Sequence, residues 1–244
     1  MPRIGRNSGN SSKEGSRGGN SIPKSMRGHK LAQRLPHLSK LVDGTLSSTT
    51  RGKSRSKEQT NTFDSAGTYK WKVPSGVDTV TVTMYGGGGG GGAGHSSHGG
   101  KTGSGGGGGA KVTKTITEIR PRTELTFVVG TGGASGGASD SGGNGGDTTF
   151  SYAGVNYVAG GGCGGGRAAI TAHTGGSGGI GSGSGAVIVH GNTGHKGYNG
   201  TKTGSGGVAL DGGAYGGYGQ GGSGAMASDA DLSVVGTPGA VVIT

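Results

Sequence analysis

The residues of this chain that could do chemistry are few and scattered. His95 and His98 stand three apart, and His173, His190 and His195 follow, so their imidazoles could gather a transition metal if the segments converged. No cysteine or carboxylate cluster joins them. The chain has one cysteine, Cys163, which excludes an intramolecular disulfide framework. Gly100, Lys101 and Thr102 end like a phosphate-binding loop, but that motif needs glycine where His95 stands, and no helical pattern follows. Residues 142–147 (GGNGGD) match one copy of a calcium-binding repeat. That repeat works in tandem, because one carboxylate cannot supply the roughly six to eight oxygens calcium takes. No Ser-His-Asp set or paired carboxylates stand out, and the nine acidic residues after position 60 are dispersed. The sequence therefore predicts a protein without catalysis, cofactor or metal centre.

The elements that must position such residues are dominated by glycine. Residues 86–92 are seven consecutive glycines and 105–109 are five, and 56 of the 159 residues from position 86 onward are glycine. Glycine loses the most conformational freedom on folding and has no side chain to bury. Ordered runs of it must exploit the missing Cβ, which lets backbone pack against backbone. A bundle of extended polyproline-II-like helices with about 3.1 Å rise per residue does this, provided each buried amide and carbonyl pairs with a neighbour. Collagen is excluded by the scarcity of proline and the lack of a strict every-third glycine. The alternative is a disordered glycine-rich linker, against which stand the strand-like segments that interrupt the glycine. The runs cover roughly 86–94, 103–109, 130–137, 142–146, 159–166, 175–185, 204–207 and 212–224.

Those interruptions alternate and are rich in β-branched and aromatic residues. Residues 68–73, 77–85, 111–118, 124–129, 148–152, 155–158 and 239–244 read as about seven strands, the fifth and sixth forming a hairpin. They supply Trp71, Val80, Val82, Phe127, Val129, Phe150, Tyr157, Val242 and Ile243 to one core. The expected fold is all-β: a small sandwich-like core continued as a polyglycine-II bundle over 61–244, preceded by an extended basic arm over 1–60. The segments between glycine runs become turns at the bundle's two ends. They hold His95, His98, His173, His190, His195, Tyr198, Tyr215 and Tyr218. Loops on a rigid scaffold commonly carry binding residues, and Tyr among Gly and Ser gives contact area at low entropic cost. The bland reading makes them solvated turns.

The charge is lopsided. Residues 1–60 hold thirteen Lys and Arg against three Asp and Glu, while the remainder holds ten against nine. The arm thus implies an acidic partner, either protein or nucleic acid. Leu31, Leu35, Leu38 and Leu41 recur at helical spacing, and Pro36 limits them to a short docking helix near 29–43. With Arg3 and Arg6 they are the candidate anchoring residues. A single Arg17-Gly18-Gly19 box gives little to RNA binding, and a partner protein is the expected occupant. No apolar stretch is long enough to span a membrane, and the opening residues lack the apolar region of a secretory signal, which predicts assembly in a cytoplasm.

Residues 63–92 (FDSAGTYKWKVPSGVDTVTVTMYGGGGGGG) resemble the start of the glycine-rich domain of phage tail-fibre and virion proteins. The likeness continues through 126–133, 149–151, 158–162 and 236–243. It implies a polyglycine-II sandwich like that of the distal tail-fibre adhesins of T-even-like phages, in which variable loops bind outer-membrane receptors. That role would fall on the histidine and tyrosine loops named above. The resemblance also implies a virion location, with residues 1–60 engaging other virion proteins. A comparable domain occurs in a receptor tyrosine kinase ectodomain. The basic arm departs from the folded attachment domain of those adhesins, so anchoring in a capsid or tail lattice, as a decoration protein, is a second expectation. A nucleic-acid-binding protein with a glycine-rich tail is a third.

Overall fold

The structure, a computed structural model, describes residues 59–95, 101–137, 140–168, 174–197, 217–225 and 233–244. The expected basic arm up to residue 58, with its docking helix, lies outside them. The described residues are all-β and contain no helix. Their strands are β1 (Asn61–Phe63), β2 (Gly67–Lys72), β3 (Thr79–Tyr85), β4 (Lys111–Thr117), β5 (Glu124–Val129), β6 (Thr148–Tyr152), β7 (Val155–Ala159), β8 (Gly181–Ser182), β9 (Val187–Val189) and β10 (Ala240–Ile243). They form two five-stranded sheets, ordered β1-β10-β3-β4-β9 and β2-β5-β6-β7-β8, with every pairing antiparallel.

Period-two alternation builds the core. Val80, Val82 and Met84 of β3 and Val112 and Ile116 of β4 turn inward from one sheet. Leu125, Phe127, Val129, Phe150 and Tyr157 meet them from the other. Phe63 meets Phe127 edge-on at 4.8 Å between ring centroids, and Phe150 stacks on Tyr157 at 5.8 Å. The hairpin β6–β7 closes through Ala153 and Gly154, both at positive φ, the pair of left-handed residues a two-residue turn needs to match strand twist.

Among the described residues ten strands stand where about seven were expected. The three additions, β1, β8 and β9, have two or three residues each, too few for alternation to register. Two expected core residues also sit elsewhere. Trp71 is only partly buried, against the core's edge, and Val242 packs with Tyr85 and Ala240 in a separate cluster on the other face of its sheet.

The described glycine segments that adjoin strands do so at one end of the sheets. β3, β5, β7 and β9 run directly into 86–94, 130–137, 160–168 and 190–197. Segments 102–110, 140–147, 174–180 and 233–239 return directly to β4, β6, β8 and β10. Residues 86–94 are buried throughout. The amides of Gly86, Gly89 and Gly92 donate to Ala110, Gly107 and Ser104, each at 2.9 Å. Those of Gly87, Gly90 and Ala93 donate to Gly146, Gly143 and Asp140, and those of Gly88 and Gly91 to Thr237 and Val234. Carbonyls follow the same rule: Gly87, Gly90 and Ala93 accept from Gly162, Gly165 and Ala168, Gly88 and Gly91 from Gly133 and Gly136, and Gly89 and Gly92 from Gly222 and Ala225. Successive residues thus address different neighbours, and every third addresses the same one. Six segments ring this one, three antiparallel accepting from it and three parallel donating to it.

Residues 102–110 are likewise buried and bond to 86–92, 160–166, 176–179, 192–195 and 219–225. The two longest pure glycine runs are therefore interior segments. A Cβ at Gly89 would overlap the Cys163 carbonyl, one at Gly90 that of Ala134, and one at Gly106 that of Gly89. On outer segments, exposed positions recur at every third residue: Thr131 and Ala134; Ser141, Asn144 and Asp147; Thr174, Ser177 and Ile180.

Candidate functional site

The connections 94–102, 137–140, 168–174 and 225–233 all spring from the end of the glycine segments remote from the sheets. Backbone bonds hold their flanks in one group. Ala93 donates to Asp140 (3.0 Å), Ala168 to Ala93 (2.8 Å), and Gly103 to Ala225 (2.9 Å). Ser233 Oγ, buried, donates to the Gly136 carbonyl at 2.6 Å. The flanks of the first connection meet, where His95 N–H donates to the Lys101 carbonyl at 3.1 Å in an isolated antiparallel bridge.

The candidate binding residues divide between the two ends. Half-buried His95 and exposed His195 belong to the remote end, where the His195 carbonyl accepts from Gly105 N–H at 3.0 Å. His190 lies at the sheet end, next to β9. Its Nδ1 accepts from the Gly181 amide at 3.2 Å, which fixes the neutral ring as the Nε2–H tautomer and ties β8 to the residue after β9. Tyr218 also lies at the sheet end. Its ring centroid is 5.8 Å from that of Tyr85, and it packs against the cluster of Tyr85, Ala240 and Val242. His98, His173, Tyr198 and Tyr215 fall outside the described residues, as do Arg3, Arg6, Leu31, Leu35, Leu38 and Leu41.

The calcium-like stretch 142–147 has another task. Asp147 Oδ1 accepts from Gly161 N–H at 2.9 Å, Asn144 Oδ1 from Gly164 N–H at 2.9 Å, and Ser141 Oγ from Arg167 N–H at 3.2 Å. These side chains, spaced by three, accept from amides also spaced by three on 160–168. They serve amides that alternate with Gly162, Cys163 and Gly165, whose acceptors are backbone carbonyls. Among the described residues no group of three or more His, Cys, Asp or Glu could hold a metal ion.

The profile of a glycine-rich domain matches residues 60–242, three-quarters of the chain. The chain belongs to this glycine-rich domain family. No curated protein matches it. Among the described residues of the glycine-rich domain, no helix is long and apolar enough to cross a membrane.

Two junction residues of the glycine-rich domain went unread in the sequence. Thr148 is fully buried where sheets meet glycine segments: its Oγ1 donates to the Tyr85 carbonyl at 2.7 Å and accepts from Gly130 N–H at 3.0 Å. Thr237 Oγ1 donates to the Gly217 carbonyl at 2.9 Å and accepts from Gln220 N–H at 2.7 Å. Each is the hydroxyl that lets one residue serve a donor and an acceptor at once. A threonine flanking a glycine run is the only sequence signal either leaves. Lys70 Nζ pairs with Glu124 Oε1 at 2.8 Å, exposed on the outer face of the second sheet. That hydrogen bond, with the attraction between the charges, lowers the Glu124 carboxyl and raises the Lys70 ammonium from their ordinary values.

Proposed function

We propose that this chain is a bacteriophage virion structural protein, a tail-fibre or surface adhesin whose glycine segments form a polyglycine-II bundle that displays receptor-binding loops. The bundle reading is supported by the period of three in the hydrogen bonds of 86–93, which matches the three residues per turn of that helix. Display is supported by one observation above the others: four connections spring from the same end of a scaffold whose interior is saturated with backbone bonds. Such a scaffold can hold sequence-variable loops without altering its interior, because 86–94 and 102–110 are held by backbone bonds that no loop side chain enters. His95 and His195 belong to that end. In this reading residues 1–60 anchor the protein to other virion proteins in a particle assembled in the host cytoplasm. The protein does no catalysis.

The test is competition. Purified full-length chain, added to host cells before the phage that encodes it, is expected to reduce adsorption in a saturable way. A decoration protein of capsid or tail would leave adsorption unchanged at any dose, while particles lacking it would lose stability.

A further inference from the structure

At the pole of the sheets opposite the glycine segments lies a cavity of about 250 Å³. Its place follows from register. Trp71 and Lys72 pair with Leu125 and Glu124 at the far end of β2, whereas Gly67 at the near end pairs with Val129, which leads into 130–137. Trp71, Val77 and Ile243 give the cavity apolar walls, and Asn61, Ser75 and Asp78 give it polar ones. We propose that this cavity is a binding site for a single neutral sugar ring.

The chemistry follows from the lining. A pyranose has an apolar C–H face and a rim of hydroxyls that both donate and accept. The chain's only tryptophan, partly buried against the core, offers the flat apolar surface such a face needs. The Asp78 carboxylate is an acceptor for sugar hydroxyls, and its Oδ1 is already steadied by Thr79 Oγ1 at 3.2 Å. The Asn61 amide and Ser75 hydroxyl each donate and accept. Mixed donors and acceptors fit a neutral polyol better than a cation, which would call for further carboxylates or an aromatic cage. The volume lies below the roughly 300–1,000 Å³ of pockets for drug-sized ligands, which limits the occupant to one ring.

The lone tryptophan makes the test direct, because the full-length chain has no other indole to report. Its fluorescence is followed while D-glucose, D-galactose and N-acetyl-D-glucosamine are added separately, with choline chloride as the cationic control. A saturable change with at least one sugar is expected, with a millimolar midpoint that weakens about tenfold or more in Asp78→Ala. Asn61→Ala gives the same comparison if Asp78→Ala does not fold. Linear, non-saturating changes with all three sugars would overturn the proposal. So would an unchanged midpoint in both folded variants, or saturation by choline alone.

Discussion

Gly89 donates its amide to the carbonyl of Gly107 at 2.9 Å, and Gly107 passes its own amide to Cys163 at 2.8 Å. Neither glycine buries a side chain, so the contact between two buried segments consists of peptide groups. Between the glycine segments, such bonds take the place that interdigitated side chains hold between the sheets. Each buried peptide group has to be matched, since an unpaired one costs about 1–3 kcal/mol.

Interior glycines should therefore tolerate no side chain. Gly89→Ala is expected to destabilise the fold by about 1–3 kcal/mol or more, as overpacking does, because the new methyl meets the Cys163 carbonyl. Exposed Ser177→Ala, on an outer segment, is expected to stay within about 0.5 kcal/mol of the parent. Denaturant unfolding of the three proteins measures the contrast. Equal stabilities would mean that the segments do not lie this close.

The ladder on 140–147 should behave as a brace for 160–168 and not as a cation site. Asn144→Ala is expected to cost about 0.5–1.5 kcal/mol through loss of the Gly164 bond, while Asn144→Asp keeps an acceptor and most of the stability. Calcium or a chelator should leave the thermal midpoint of the parent unchanged. A calcium-dependent midpoint lost in Asp147→Asn would contradict this assignment.

Thr148 joins the sheet end of 86–94 to that of 130–137. Thr148→Val keeps the shape but leaves the Gly130 amide without its acceptor, at a cost of about 1–3 kcal/mol, and Thr148→Ser should recover most of it. Thermal melts of both variants give the comparison.

The Lys70–Glu124 pair sets a pH dependence of known sign. Glu124 has a lowered pKa, so its contribution is present above the ordinary carboxylate range and fades as pH falls through the lowered value. Lys70 is raised, so its contribution is present below the ordinary lysine range and is lost as pH rises through the raised value. Both groups are exposed, so the effect on stability is small. Carboxyl NMR titration of Lys70→Gln should show the Glu124 pKa moving up toward its ordinary value.

Much of the sheet architecture was legible because strands half-buried in a sandwich must alternate. β3, with Val80, Val82 and Met84 inward and Thr81 and Thr83 outward, states its role in its composition. β8 does not. A Gly-Ser pair has no intrinsic strand signal, and it pairs with β7 because Val158 and Ala159 stand beside it. The 86–92 and 105–109 runs marked the interior segments for a physical reason, since only a segment with backbone neighbours on all sides needs glycine at each position. Outer segments were harder to read, because several of them carry an exposed side chain at every third residue. Ser141, Asn144 and Asp147 display that period, yet the same letters also spell one turn of a calcium repeat. His190 and Tyr218 read as loop residues by composition, which does not say which end of a segment they occupy. Segment direction is set by pairing distant in sequence, which local pattern does not carry.

The central claim is that backbone packed on backbone forms the interior of residues 86–94 and 102–110. Amide hydrogen exchange resolved at single residues tests it most directly. The account predicts that the amides of Gly87 to Gly92 and Gly105 to Gly109 exchange as slowly as those of β3 and β5, opening only with global unfolding. Exchange at the rate of a free peptide, while β3 and β5 stay protected, would contradict it.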